Sequence, residues 1–249
     1  MKNLELGEIR EIFLSHRKWL ESEGAEGRKA ELEPFHLYGP PLRGFDFSQA
    51  RMAGCQMPLA DLRYALMVGT DLERAVLPGL EGYQIGLTSA NLRGANLRGA
   101  FLLEGIGLGT NFERADLREA TLTRADLRRA NFSRADLREA NLTEAQCQDA
   151  RFDRADMTEA NLLECDLRGA SLEGAILARA QLARTNLSGA NLRGADLRQA
   201  QIGNAQLVGA DLRGARLEGA IYERKALLAA QLDEPLRKSL EGRPQRSEF

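Results

Sequence analysis

The sequence predicts an all-β solenoid, and three observations carry that expectation. The first is a period of five. Segments such as Ala90-Asn91-Leu92-Arg93-Gly94, Ala115-Asp116-Leu117-Arg118-Glu119 and Ala195-Asp196-Leu197-Arg198-Gln199 repeat Ala, then Asp or Asn, then Leu, then two mostly polar residues. From Leu42 to Leu232 every fifth residue is apolar except Gly82 and Gly107, and Ala dominates the position two before it. The second is a recurrence at 20 residues: Phe112, Phe132 and Phe152 return at that interval, as do Asp116, Asp136 and Asp156, and Glu119, Glu139 and Glu159. The third is that aromatics make up only 6% of the chain, so the interior is built from small aliphatic side chains.

Five divides neither the helical period of 3.6 nor the strand period of 2, so each quintet is one short strand plus one turn. Ala and Leu, two apart in an extended segment, face the same side, and the last two residues turn the chain. The 20-residue recurrence sets four quintets to a coil, which gives the solenoid four sides. Residues 37–222 then make about nine coils, a rod on the order of 40 to 45 Å long at ordinary strand spacing. Two stretches, Pro78 to Thr88 and Leu103 to Thr110, degrade the pattern. Gly105 and Gly107 occupy both inward slots of the second. A local frame shift turning Ile106 and Leu108 inward predicts a bulge or small loop there.

A stack of open coils exposes strand edges at both ends, and these need covering. Leu6, Ile9, Phe13, His16, Trp19 and Leu20 fall at helical spacing, so Glu5 to Glu23 reads as an amphipathic capping helix stopped at Gly24. Residues 1–36 thus form a cap and connector, the connector running through Ala25 to Pro41. Residues 223–249 form a C-terminal cap: a helix over Glu223 to Leu232, a short helix begun by Asp233 and ended near Gly242, and a loose tail from Arg243 to Phe249.

With these quintets in view, the chain resembles the pentapeptide-repeat family over about three quarters of its length, most specifically from Ala90 to Ala220. The resemblance implies a right-handed quadrilateral β-helix. It also implies two interactions. In some members a C-terminal helix mediates dimerisation, which would fall here on Leu227, Leu228, Leu232, Leu236 and Leu240, with a cap of a single chain as the alternative. Some members protect DNA gyrase from quinolones or peptide toxins by imitating duplex DNA with an acidic rod.

The chain offers little chemistry. Its two histidines, His16 and His36, have no evident nucleophile or metal partner. Cys55, Cys147 and Cys165 are odd in number and fall in inward slots as apolar fillers, which fits a reducing compartment. No catalytic group, cofactor site or metal site is expected. An enzyme with a shallow site at the glycine irregularities would have to draw on Glu81, Tyr83 or Glu104, and nothing in the sequence asks for one. The formal net charge of -2 disfavours direct nucleic-acid binding, and no apolar run is long enough for a membrane span, so the chain reads as cytoplasmic.

Two outward surfaces are candidate contacts. One side carries an acidic stripe, Asp116, Glu119, Asp136, Glu139, Asp156 and Glu159, with Arg118 and Arg138 among them. These like charges repel at strand spacing unless arginines and solvent screen them or a basic partner uses them. Another side of the early coils carries Leu66, Val68, Ile106 and Leu108 with Phe101 and Leu103. They are either an interaction patch or are buried by the frame shift or by the N-terminal helix, and burial is the favoured expectation. Together these readings give a non-enzymatic scaffold presenting a repetitive surface to a protein partner, with gyrase mimicry as the alternative.

Overall fold

The computed structural model describes residues 2–32 and 34–241. One hydrogen-bond rule builds most of it. Within each quintet the central apolar residue donates its N–H to the carbonyl 19 residues ahead, as Leu62 does to Glu81 (2.8 Å), and the residue before it donates to the carbonyl 21 behind, as Asp61 does to Pro40 (3.0 Å). The result is a parallel ladder with a step of 20, running from Glu31↔Arg51 to Asp211↔Gln231. Four quintets therefore close each coil, and buried amides find their partners in the coils above and below.

The corners are equally uniform. Ala65 N–H returns to the Leu62 carbonyl (3.0 Å), closing a four-residue turn whose third residue, Tyr64, has φ 61°. Positive φ recurs at every fifth residue from Gly44 to Gly219, the pattern of a type II turn. Glycine meets this demand without strain. Elsewhere a residue with a side chain, most often Arg, Glu or Gln, adopts it at a penalty of roughly 1–2 kcal/mol, which the closed turn and its two ladder bonds offset.

Four faces result: the first contains residues 41–45, the second 46–50, the third 51–55 and the fourth 56–60, each repeating every 20 residues. The central residue and the residue two before it point inward and are fully buried along most of the rod, including Cys55, Cys147 and Cys165. The phenylalanines stack as expected: Phe112 to Phe132 and Phe132 to Phe152 each have centroids 4.8 Å apart, with rings 5° and 2° from parallel. Where Thr replaces the inward Ala, its hydroxyl is satisfied internally. Thr70, Thr110 and Thr185 donate to the carbonyls of Phe47, Leu87 and Leu162 (2.7, 2.7 and 2.8 Å).

The expected bulge does not form. Ile106 pairs with Gly86 and Asp126 in frame, and Gly107 donates to the Asp126 carbonyl at 2.7 Å. The physical reason is compensation from neighbouring slots. A Cβ at Gly107 would meet Leu127 Cδ2 at 3.1 Å, and one at Gly82 would meet Leu102 Cδ2 at 2.9 Å and Ile85 Cγ2 at 3.3 Å. Larger side chains next door already fill the space, so both stretches remain ordinary coil.

At the N-terminal end, β1 (Lys2–Asn3) pairs in parallel with β2 (Phe35–His36), and α1 (Leu6–Glu21) lies over the first coil. Glu5 and Glu8 form a capping box at its start, and Gly24, with φ 93°, donates to the Trp19 carbonyl at 2.8 Å beyond its end. Phe13 packs edge-on against Phe47 at 4.4 Å. Buried His16 fixes the helix by both ring nitrogens: Nδ1 accepts the Ala30 N–H (3.1 Å) and Nε2 lies 2.9 Å from the Ser48 carbonyl, to which it donates. The ladder starts at Glu31, inside the segment expected to be a connector.

At the other end, α2 (Arg224–Leu228) and α3 (Glu234–Glu241) replace coil. The first is shorter than the sequence suggests because Gln231 returns to the ladder opposite Asp211. The expected tail, Arg243 to Phe249, lies outside the described residues. No helix among the described residues is long and apolar enough to cross a membrane.

Candidate functional site

The quintet leaves three outward positions: the residue before the central one and the two turn residues. Where the first is Asp and the second Arg, a recurrent clamp forms. In Asp116-Leu117-Arg118, Asp116 Oδ1 accepts the Arg118 backbone N–H (3.2 Å) and Nε (2.8 Å), and Oδ2 accepts Nη2 (2.5 Å). The same bidentate grip joins Asp61 to Arg63, Asp126 to Arg128, Asp136 to Arg138, Asp196 to Arg198 and Asp211 to Arg213. Hydrogen bonds from these arginines hold Asp61, Asp116, Asp126 and Asp196 below the usual carboxylate range and Asp211 down to about 2, against the opposing effect of burial.

The clamp changes the character of the acidic stripe. Asp116, Asp136 and Asp156 do stack in register on the fourth face. Arg118 also approaches Asp136 (3.5 Å), and Arg138 approaches Asp156 (3.9 Å). Arg98 binds Glu119 at 2.6 Å and Arg179 binds Glu159 at 2.7 Å, both from coils outside the stretch where the sequence shows the stripe. Among the described residues, Glu139 alone of the six carboxylates makes no ion pair. The third face carries a side-chain ladder of three amides ending on a carboxylate, from Asn131 to Asn111 (3.2 Å), Asn91 (3.3 Å) and Asp71 (3.0 Å).

The apolar cluster is open, contrary to the favoured expectation of burial. Because the frame does not shift, Ile106 and Phe101 remain outward and are 51% and 50% exposed; Leu66 and Val68 are also exposed, and Leu103 and Leu108 half-exposed. Leu66 and Ile106 flank buried Gly86 in one ladder column. Sequence reasoning missed Tyr64, which is exposed beside this group and stands edge-on to Tyr83 at 5.5 Å. The 20-residue register, which places Tyr83 one coil below Leu103, was the available signal.

The glycine irregularities do bring Tyr83 and Glu104 together. Glu104 Oε2 accepts the Tyr83 hydroxyl (3.0 Å) and the Gln84 amide (3.0 Å), and Oε1 lies 3.4 Å from Arg124. The Gln84 and Tyr83 hydrogen bonds pull Glu104 down, and the bond to Glu104 pushes Tyr83 up. These shifts oppose what a general base or an activated phenol near neutral pH needs. Burial pushes the Cys55 thiol up to about 12, so it is protonated at neutral pH. No group of three or more His, Cys, Asp or Glu suited to a metal ion occurs among the described residues.

The C-terminal leucines face inward. Leu227, Leu232 and Leu240 are buried in the chain's own cap, and Leu228 and Leu236 are partly buried against it.

Known proteins carry the same five-residue repeat. The family profile described as pentapeptide repeats matches residues 42–79, 108–134, 135–174 and 175–214, in 8 copies. No curated protein matches the chain. Among solved structures, HetL, a pentapeptide repeat protein involved in heterocyst differentiation regulation in the cyanobacterium Nostoc, is 28% identical over 86% of this chain and 92% of its own, with a TM-score of 0.37. Full-length QnrB1, a plasmid-mediated fluoroquinolone resistance protein, is 19% identical over 86% of this chain and 95% of its own, with a TM-score of 0.41. The pentapeptide repeat protein alr5209, also from Nostoc, is 36% identical over 41% of this chain and 84% of its own, with a TM-score of 0.37. The five-residue period, the 20-residue ladder and the profile match over most of the rod together show that the chain belongs to the pentapeptide repeat family, whose fold is the right-handed quadrilateral β-helix.

Proposed function

We propose that this chain is a non-enzymatic cytoplasmic scaffold that binds a protein partner through the apolar patch on its first and second faces. The observation that carries this reading is the exposure of Leu66, Val68, Phe101 and Ile106 together on a regular surface. Elsewhere on the rod many charged side chains are already paired, as in the Asp-x-Arg clamps, Arg98 with Glu119 and Arg179 with Glu159. A pair that is already closed gains little from a partner, whereas exposed apolar area released from water gains roughly 25 cal/mol per Å². Leu103, Leu108 and Tyr64 widen the contact.

The test compares two triple variants by affinity capture and mass spectrometry at equal expression: Leu66→Glu with Phe101→Glu and Ile106→Glu, against Glu119→Gln with Glu139→Gln and Glu159→Gln. Partners lost only with the first set support the patch. Partners lost only with the second, with salt-sensitive inhibition of gyrase supercoiling by the purified protein, would instead support duplex mimicry by Asp116, Glu119, Asp136, Glu139, Asp156 and Glu159. A homodimer at the C-terminal cap would rest on Leu228 and Leu236, since Leu227, Leu232 and Leu240 are already buried. Equilibrium sedimentation of the protein against its Leu236→Glu variant reads that contact.

A further inference from the structure

Beside the buried seam of α1 runs a second stripe, Arg10, Leu14, Arg17 and Glu21, at helical spacing. Leu14 is 61% exposed, the only large apolar side chain of α1 left so open among the described residues. Across from it stand Arg43, Gly44, Phe45 and Asp46 of the first coil, and with Phe13 and Leu20 these residues line a cleft of about 660 Å³. Phe45 sits in the slot that Ala dominates in later coils and is only partly buried, its ring 5.9 Å from that of Phe47. A Cβ at Gly44 would meet nothing within 4 Å, so that wall carries no side chain. The cleft is thus a small space with an apolar interior.

Its charges are unevenly answered. Three guanidiniums face two carboxylates. Glu21 is held by Arg17 at 2.6 Å, and Asp46 accepts the Ser48 N–H at 2.9 Å. Arg43 lies over the Tyr64 ring at 4.8 Å, and neither it nor Arg10 reaches a carboxylate within ion-pair distance among the described residues.

We infer that this cleft binds a small amphiphilic monoanion, its aryl or acyl body against Phe13, Leu14, Leu20 and Phe45 and its anionic head at Arg10 and Arg43. The volume lies in the ordinary range for small-molecule sites, which combine apolar walls with few polar anchors. A neutral ligand leaves the two guanidiniums unanswered, a cation is repelled by the net positive charge, and a dianion meets Glu21 and Asp46. The site adjoins the apolar patch, since Arg43 lies over Tyr64 and Asp46 pairs with Leu66 in the ladder, but its walls are α1 and the first coil and it contains none of Leu66, Val68, Phe101 and Ile106.

The probe is 1-anilinonaphthalene-8-sulfonate, a monoanion with an aromatic body, with its uncharged analogue N-phenyl-1-naphthylamine as control. Trp19 is the only tryptophan and lies on α1, so energy transfer from it to the probe reports occupancy near the helix. The expected result is saturable one-to-one binding, displaced by dodecanoate and not by dodecyltrimethylammonium. Joint replacement Arg10→Ala and Arg43→Ala should weaken it about tenfold or more, the usual effect of losing hydrogen bonds to a charged group. Leu14→Glu, at an exposed position, should weaken it without changing the circular dichroism spectrum. Equal binding of the neutral analogue, no effect of the arginine substitutions, or loss of the signal in Phe101→Ser with Ile106→Ser instead would each overturn the assignment.

Discussion

Phe112, Phe132 and Phe152 show how one residue type propagates through a repeat. Each ring is fully buried, and each is held parallel to the next by the 20-residue ladder. Phe132 has a ring on both sides, so Phe132→Ala removes contacts in two coils and leaves a cavity that the hydrogen-bonded backbone resists closing. The expected loss is about 3–5 kcal/mol by urea denaturation, and a negligible loss would refute the stacked arrangement. Gly82 makes the converse case. By pattern its slot should hold Leu, but Leu102 and Ile85 already approach within 2.9 and 3.3 Å of where a Cβ would sit. Gly82→Leu therefore restores the repeat yet should destabilise by roughly 1–3 kcal/mol through overpacking, measurable in the same experiment. The stack was legible because identical residues recur at the coil period. The fate of Gly82 and Gly107 was not, because the side chains that fill their space sit in different quintets.

At the scale of the quintet, the Asp-x-Arg clamp ties a turn to its strand and has a pH signature. Arginine hydrogen bonds depress Asp61, Asp116, Asp126 and Asp196, and Asp211 to about 2, below their values in the unfolded chain. A depressed folded-state value contributes stability that is complete above the unfolded carboxylate range and is lost as pH falls toward the folded value. Urea midpoints should accordingly be flat near neutrality and fall between about pH 4 and pH 2. Each clamp's share is modest because its guanidinium is well exposed to solvent. Asp211→Asn should shallow the acid limb measurably, and an unchanged limb would show the clamp to be energetically idle. Ion pairs between coils, rather than the clamps, explain why the stripe looked more acidic in the sequence than it is. Arg98 and Arg179 contribute from the coils on either side, so counting only within the stripe omitted them.

The whole rod was the most legible feature, since a five-residue period admits few other folds, while the surfaces depend on how its ends are finished. Its two ends are finished differently. The N-terminal coil gains a strand pair, a docked helix and His16 bonded by both ring nitrogens, whereas at the other end Ala215, Leu217, Ala220 and Tyr222 occupy inward slots but are only partly buried. The ladder pairs Asp196↔Arg216 and Gln201↔Ile221 join those residues to the preceding coil, and although Asp211↔Gln231 carries one face further, no bridge from Arg216 or Ile221 continues outward among the described residues. In a solenoid each coil is stabilised mainly by its neighbours, so a coil with one complete neighbour opens more readily than one between two. Native-state hydrogen exchange should thus show the strongest protection for the amides of Phe112 to Leu172. Protection should decline toward 200–222 and decline less toward 42–60, where α1 covers the end. A symmetric profile would mean that α2 and α3 close their end as effectively as α1 closes the other. A decline at 200–222 that disappears as protein concentration rises would locate a contact between copies at the same edge, because association removes the opening that exchange reports.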